Sequence, residues 1–262
     1  MYNFDFVKPA TVDEAVKALA DDEAQALGGG QTLIPTLKQR LASPSKLVSL
    51  TGIADMKGVS KSGDSVVIGG GTTHRTVAEE AAGAYPGLAD LAGRIGDPAV
   101  RNRGTIGGSL ANNDPSACYP AAALGSGATI VTNSREIAAD DYFQGMFTTA
   151  LDEGEIITQV RFPIPQKSAY AKIAQPASRF PLVAVFVAKY ADGVRVAGTG
   201  ASNNGVFRWS EAEAALADNF AADALDGLSV PSDDMIGDLH GTAAYRAHLV
   251  GVMTKRAVAA AS

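Results

Sequence analysis

Two glycine clusters about 75 residues apart do most to restrict what this chain can become: Gly28-Gly29-Gly30-Gln31-Thr32 and Thr105-Ile106-Gly107-Gly108. Each sits between a strand-like run and a helix-like run. Glycine permits positive φ and lets backbone N–H groups close on an anion, and a following helix adds its positive end. Hydroxyl side chains at Thr32, Thr105 and Ser109 supply further donors. The pair reads either as two claws on one diphosphate or as two solvent-facing glycine turns. On the first reading, Gly29→Val or Gly107→Val abolishes ligand retention and leaves the fold largely intact.

Neither cluster is a common nucleotide fingerprint. Gly28-x-Gly30 needs a glycine at position 33 to complete G-x-G-x-x-G, and Leu33 stands there; Gly69-x-Gly71 fails at His74 and Gly198-x-Gly200 at Asn203. No Gly-Lys-Ser/Thr tripeptide is present, so P-loop chemistry loses ground as well.

The 262 residues, 46% hydrophobic and 19% charged, suffice for a sizeable globular core. A net charge of −6 without a long Lys/Arg run argues against a nucleic-acid partner. No apolar stretch reaches the roughly 18–20 residues needed to span a bilayer. Met1–Phe6 lacks the regions of a signal peptide, so a cytoplasmic location is expected. With Cys118 as its one cysteine, the chain has no internal disulfide, no cysteine-ligated iron–sulfur cluster and no cysteine-rich zinc site. His74, His240 and His248 lack metal-site spacing, and the last two read as surface positions on a helical tail; no metal is expected on this chain. Any redox chemistry must then run through a bound organic cofactor.

Along the chain, residues 1–60 read as a small α/β unit. Its strands are Phe4–Val7, Ala24–Leu27 and Lys46–Leu50, with a helix over Val12–Ala20 opened by the Thr11/Glu14 capping pattern and another over Leu33–Leu41. Residues 61–165 form a second unit, with strands at Val66–Ile68, Ala128–Thr132 and Ile156–Phe162 and helices at Thr76–Ala82 and Leu88–Ile95. The second glycine cluster lies in an irregular stretch, Asn102–Pro120. Beyond the prolines at 163 and 165, residues 166–262 give three strands, Ala169–Ala174, Leu182–Tyr190 and Val194–Gly198, with Asp192-Gly193 as a hairpin signal. Helices are expected at Trp209–Leu216 and Asp234–Ala261.

The runs Leu27-Gly-Gly-Gly-Gln-Thr-Leu-Ile-Pro35, Gly104-Thr-Ile-Gly-Gly-Ser-Leu-Ala-Asn112 and Asp114-Pro-Ser-Ala-Cys-Tyr-Pro120 resemble the FAD-binding medium subunit of molybdenum hydroxylases. The carbon monoxide dehydrogenase medium-chain group is the nearest type, and the equivalent domain of xanthine dehydrogenase is more distant. Tyr170-Ala-Lys172 and Pro176-Ala-Ser-Arg-Phe180 carry the resemblance into the last third of the chain. It implies an α+β protein: two α/β subdomains of the p-cresol methylhydroxylase and vanillyl-alcohol oxidase type, 1–60 and 61–165, holding FAD between them. A C-terminal domain, 166–262, with a three-stranded antiparallel sheet and helices, would close over the flavin.

By the same resemblance, Gly28, Gly29, Gly30, Gln31 and Thr32, with Thr105, Ile106, Gly107 and Gly108, bind the FAD diphosphate. Leu27, Leu33 and Ile34 continue the first loop's contacts. Ile95 and Ile157 either pack on FAD or are plain core. Lys172 is either near the flavin or an outward-facing strand lysine, and Phe180 falls near the ring. Asn112 and Asp114 either hydrogen-bond the ribityl chain or shape the turn.

The implied activity is that of an oxidoreductase subunit passing electrons from iron–sulfur clusters through non-covalent FAD to an external acceptor. Molybdopterin and [2Fe-2S] clusters are expected only on partner chains, a molybdopterin large subunit and an iron–sulfur small subunit, in a hetero-oligomer of the carbon monoxide, xanthine or aldehyde dehydrogenase type. No catalytic acid, base or nucleophile is assigned here, because the flavin supplies the chemistry and the protein supplies binding and orientation. Two rival readings are a free-standing FAD-dependent oxidoreductase and a non-enzymatic assembly scaffold. Many relatives have aspartate where this chain has Cys118. The expectation is that the site has repacked around a small apolar thiol, so that Cys118→Asp would bury a carboxylate without prepared donors.

Overall fold

Parallel strands need crossover connections, and the first fifty residues supply two of them. The computed structural model describes residues 1–261. β1 (Asp5–Val7), α1 (Val12–Leu19), β2 (Ala24–Leu27), α2 (Leu33–Lys38) and β3 (Lys46–Ser49) build a parallel sheet of order β1-β3-β2. The apolar β3 is its central strand, with Leu47, Val48 and Ser49 buried. Thr11 caps α1 by accepting from the Glu14 N–H at 3.2 Å, and the Glu14 carboxylate reaches back to the Ala10 N–H at 2.8 Å. The capping box therefore closes one residue earlier than its usual pattern.

The middle of the chain runs through β4 (Val59–Ser62), β5 (Ser65–Gly69), α3 (His74–Glu80), α4 (Pro86–Gly93), α5 (Pro98–Arg101), α6 (Ile106–Asn112), α7 (Tyr119–Ser126), β6 (Thr129–Thr132), β7 (Glu136–Ala138), α8 (Ala139–Tyr142) and β8 (Ile157–Pro163). Its strands form an antiparallel sheet of order β4-β5-β8-β6-β7. Val59 pairs with Ile68, so a division after residue 60 would cut β4. The stretch expected to be irregular holds one whole helix, α6, and the first residues of α7. α6 forms in spite of Gly107 and Gly108, poor helix formers. Its first N–H groups are anchored from outside: Ile106 donates to the Thr72 carbonyl at 3.1 Å and Gly107 to the Gly70 carbonyl at 2.9 Å.

The last third holds β9 (Lys167–Ala174), β10 (Pro181–Lys189), β11 (Val194–Ser202), β12 (Gly205–Arg208), α9 (Ser210–Asp218) and α10 (Ala243–Ala260). The antiparallel sheet has order β12-β11-β10-β9. It gains a fourth strand over the three expected, because Asn203-Asn204 closes a second tight turn in which Ser202 pairs with Gly205 at φ +85°. The helix expected from Asp234 starts at Ala243 instead. Residues 234–236 are drawn onto the end of β11, where Asn203 N–H donates to the Asp234 carbonyl and Ile236 N–H to the Ala201 carbonyl. Thr242 then caps α10 through the Tyr245 N–H.

β10 is buried along nearly its whole length and serves two cores. Val183, Val185 and Val187 pack with Trp209, Val250 and Met253; Ala184, Phe186 and Ala188 pack with Tyr85, Tyr119 and Ala122. This is the two-residue period of a strand covered on both faces. Lys172 and Tyr170 pair with Ala184 and Phe186, which sets both on the face turned toward α4 and α7. Among the described residues no helix is long and apolar enough to cross a membrane.

Candidate functional site

The first glycine segment joins β2 to α2, and its backbone donors are free. None of the N–H groups from Gly28 to Thr32 donates to an acceptor among the described residues. Thr32 opens α2 without a side-chain cap. Gly30 has φ +74°, and a Cβ there would lie 2.8 Å from Ile34 Cγ1 and 3.4 Å from Leu27 Cδ1, so these two side chains close over it. Gln31 Nε2 donates to the Gly29 carbonyl at 3.3 Å, and Leu33 is half-buried at the start of the helix. A run of unpaired backbone donors around a glycine at positive φ is a candidate anion nest.

The second segment is a backboard for the first. A Cβ at Gly29 would stand 1.9 Å from the Arg103 carbonyl oxygen and 2.6 Å from Gly104 Cα, and one at Gly28 would stand 3.0 Å from Thr105 Oγ1. The two segments, far apart in sequence, are therefore in van der Waals contact. Thr105 is buried and its hydroxyl accepts from the Gly108 N–H at 3.2 Å. Because Ile106, Gly107 and Gly108 already have acceptors, the segment offers shape more than donors. A Cβ at Gly107 would meet the Gly70 carbonyl oxygen at 2.6 Å. The expectation that valine at Gly29 or Gly107 spares the fold is thus overturned: both glycines admit another backbone.

Behind this contact lies His74. A Cβ at Gly104 would sit 2.4 Å from its Nε2, and its ring packs at a tilt against Tyr119 with centroids 5.3 Å apart. Burial, helped by Arg101, holds its pKa down to about 4. His74 Nδ1 and the Tyr119 hydroxyl have no partner among the described residues.

Asn112 ends α6, half-buried. The next residue, Asn113, does the structural work that sequence reasoning missed. It adopts the left-handed conformation (φ 42°, ψ 47°) and is buried, and its amide donates to the Gly145 and Thr148 carbonyls at 2.8 Å each. The doubled asparagine before Asp-Pro was the available signal, since asparagine tolerates that region. Asp114 accepts from the Ser116 N–H at 2.8 Å, shaping the turn, and burial raises its carboxyl pKa.

Cys118, Lys172 and Arg94 form a second cluster. Lys172 Nζ donates to the Arg94 carbonyl at 2.8 Å and lies 3.7 Å from Cys118 Sγ, with the otherwise unpartnered Tyr170 hydroxyl beside the thiol. The apolar repacking expected around Cys118 is therefore corrected: the thiol is buried, but a cation and a hydroxyl face it. Burial pushes the thiol pKa up and the lysine pKa down, each opposed by the other group. Lys172 points inward; it is no exposed strand lysine. Ile157 is buried in the core at the start of β8, and a Cβ at Gly70 would lie 2.1 Å from its carbonyl oxygen. Ile95 is half-buried, while Phe180 is exposed on the β9–β10 turn. Among the described residues no group of three His, Cys, Asp or Glu side chains could hold a metal.

Residues 2–165 match the family described as the FAD binding domain in molybdopterin dehydrogenase. The carbon monoxide dehydrogenase medium chain of Afipia carboxidovorans is 34% identical, over 98% of this chain and 96% of its own length. The nicotine 6-hydroxylase medium subunit of Paenarthrobacter nicotinovorans is 33% identical, over 97% of this chain and 95% of its own. Reconstituted CO dehydrogenase from Oligotropha carboxidovorans superposes with a TM-score of 0.88 at 32% identity, covering 98% of this chain and 97% of that one.

Proposed function

Since the chain belongs to the family of FAD-binding domains in molybdopterin dehydrogenases, we propose that it is the FAD-carrying medium subunit of a molybdenum-containing hydroxylase or dehydrogenase complex. The observation that carries this reading is the row of free N–H groups from Gly28 to Thr32, held against Arg103–Thr105 by glycines that leave no room for side chains. Five charge-assisted bonds at roughly 1.5–3 kcal/mol each are enough for tight non-covalent retention of a diphosphate.

In this assignment Gly28–Thr32 bind the diphosphate, and Thr105–Gly108 set its position. Leu27, Leu33 and Ile34 exclude water beside it. Asn112 and Asp114 orient the chain between diphosphate and ring, while Ile95, Ile157, Lys172 and Phe180 border the ring. Lys172 holds an ammonium at that border, steadied by the Arg94 carbonyl. Bound flavin supplies the exchange between one-electron donors and a two-electron acceptor. The one cysteine cannot ligate a cluster, so an iron–sulfur small subunit and a molybdopterin large subunit are the partners, and the complex is cytoplasmic. With the first boundary moved ahead of β4, the three units serve as two cofactor-binding subdomains and a closing domain.

The test is direct. The purified full chain should be yellow, with one FAD per chain released by heat or acid. A colourless chain that takes up no FAD on reconstitution overturns the proposal.

A further inference from the structure

A groove of about 420 Å³ opens between α4–α5 and the β9–β10 turn, with Arg94, Arg101, Lys172 and Arg179 on its walls. Arg94 is neutralised by Asp90 at 3.2 Å. The other three have no carboxylate partner among the described residues. Arg101 uses one nitrogen, Nη1, on the Ile95 and Gly96 carbonyls and leaves its other donors open. Lys172 bonds a carbonyl and a thiol. The Arg179 guanidinium has no acceptor among the described residues.

Three unmatched cations on one groove stand out in a chain of net charge −6, since they repel one another across a partly desolvated wall. The turn that presents Arg179 is fixed. Its N–H donates to the Gln175 carbonyl at 2.9 Å, the Gln175 N–H donates to the Phe180 carbonyl at 2.8 Å, and Arg179 is held at φ +62°. A non-glycine residue persists there when its surroundings enforce it. Lys172 also borders the ring in the cofactor assignment above, so the groove opens beside the flavin position on that reading. A neutral ligand would leave all three charges uncompensated.

We propose that this groove receives the electron acceptor and selects for negative charge on it, the class represented by a phosphate-bearing dinucleotide. The inference rests on the FAD assignment only for the identity of the ligand as an acceptor; the anion preference is a property of the groove.

Binding of NAD⁺, a sulfonated naphthoquinone and a neutral quinone to the FAD-reconstituted full chain would be measured by calorimetry at two salt concentrations. Arg101→Gln and Arg179→Gln would be compared with the parent, and FAD content read from the visible spectrum. The expected result is tighter binding of the two anions than of the neutral quinone, weakened by salt and by roughly tenfold in each variant, with FAD content unchanged. Binding of the sulfonated quinone as well as NAD⁺ marks a general anion site, and of NAD⁺ alone a dinucleotide site; both support the proposal. Equal binding of charged and neutral probes overturns it. So does loss of FAD from either variant, which would make the groove part of the cofactor site. A colourless parent that still prefers anions would sink the FAD assignment and leave the groove's selectivity standing.

Discussion

Lys172, half-buried at the edge of a groove, holds its ammonium 3.7 Å from the sulfur of the buried Cys118. A carboxylate at position 118 would therefore meet a cation and the Tyr170 hydroxyl, and the donors absent from the sequence-based expectation are in place. Cys118→Asp should keep stability within about 1.5 kcal/mol of the parent, because a well-placed buried pair roughly offsets its own desolvation. Adding Lys172→Met to that variant should cost about 3 kcal/mol more than Lys172→Met in the parent, since it strands a buried charge. Urea unfolding of the four proteins gives the coupling; additive costs would show that the two side chains do not interact.

His74 makes stability depend on pH. Its folded-state pKa of about 4 lies below the ordinary 6.5, so the folded protein binds the proton less readily than the unfolded chain. Stability should be full above pH 6.5 and fall as pH drops from 6.5 toward 4, by an amount on the order of 3 kcal/mol. His74→Phe should flatten that part of the profile. An unchanged slope between pH 6.5 and 4 would place the titrating group elsewhere.

Gly29→Ala and Gly107→Ala should each lower the melting temperature and reduce FAD retention together, because each Cβ would enter backbone space. Gly83→Ala, where a Cβ meets nothing within 4 Å, should leave both unchanged. Loss of FAD at a parental melting temperature would restore the picture of glycines that serve the ligand alone.

Asn113→Ala removes two 2.8 Å hydrogen bonds and puts an unfavourable residue at φ 42°. A loss of roughly 2–3 kcal/mol is expected, with faster hydrogen exchange confined to residues 143–149. Parental exchange there would mean that the turn, including Phe147 at φ +57°, holds itself.

The strands and helices of the N-terminal α/β unit were legible in sequence because their signals are local: the Thr11 cap, the Leu33–Leu37 spacing, the apolar run of β3. Asp192-Gly193 likewise announced a hairpin. What escaped was structure imposed from a distance. α6 depends on carbonyls of Gly70 and Thr72, and the segment 234–236 follows β11 instead of its own helical pattern. The site behaved in the same way. The glycine motifs could be read as a cradle, but nothing in the residues near Cys118 says that Lys172, 54 positions later, will reach it.

The contact of Gly29 with Arg103 and Gly104 also bears on the order of folding. Neither strip is the whole cradle: one has the donors and the other has the wall. The cradle can exist only after the chain has closed a loop of about 75 residues, and long-range closures of this kind are slow relative to local helix and hairpin formation. Cofactor capture should consequently be among the last events of maturation, and a chain that holds FAD has already docked its N-terminal unit.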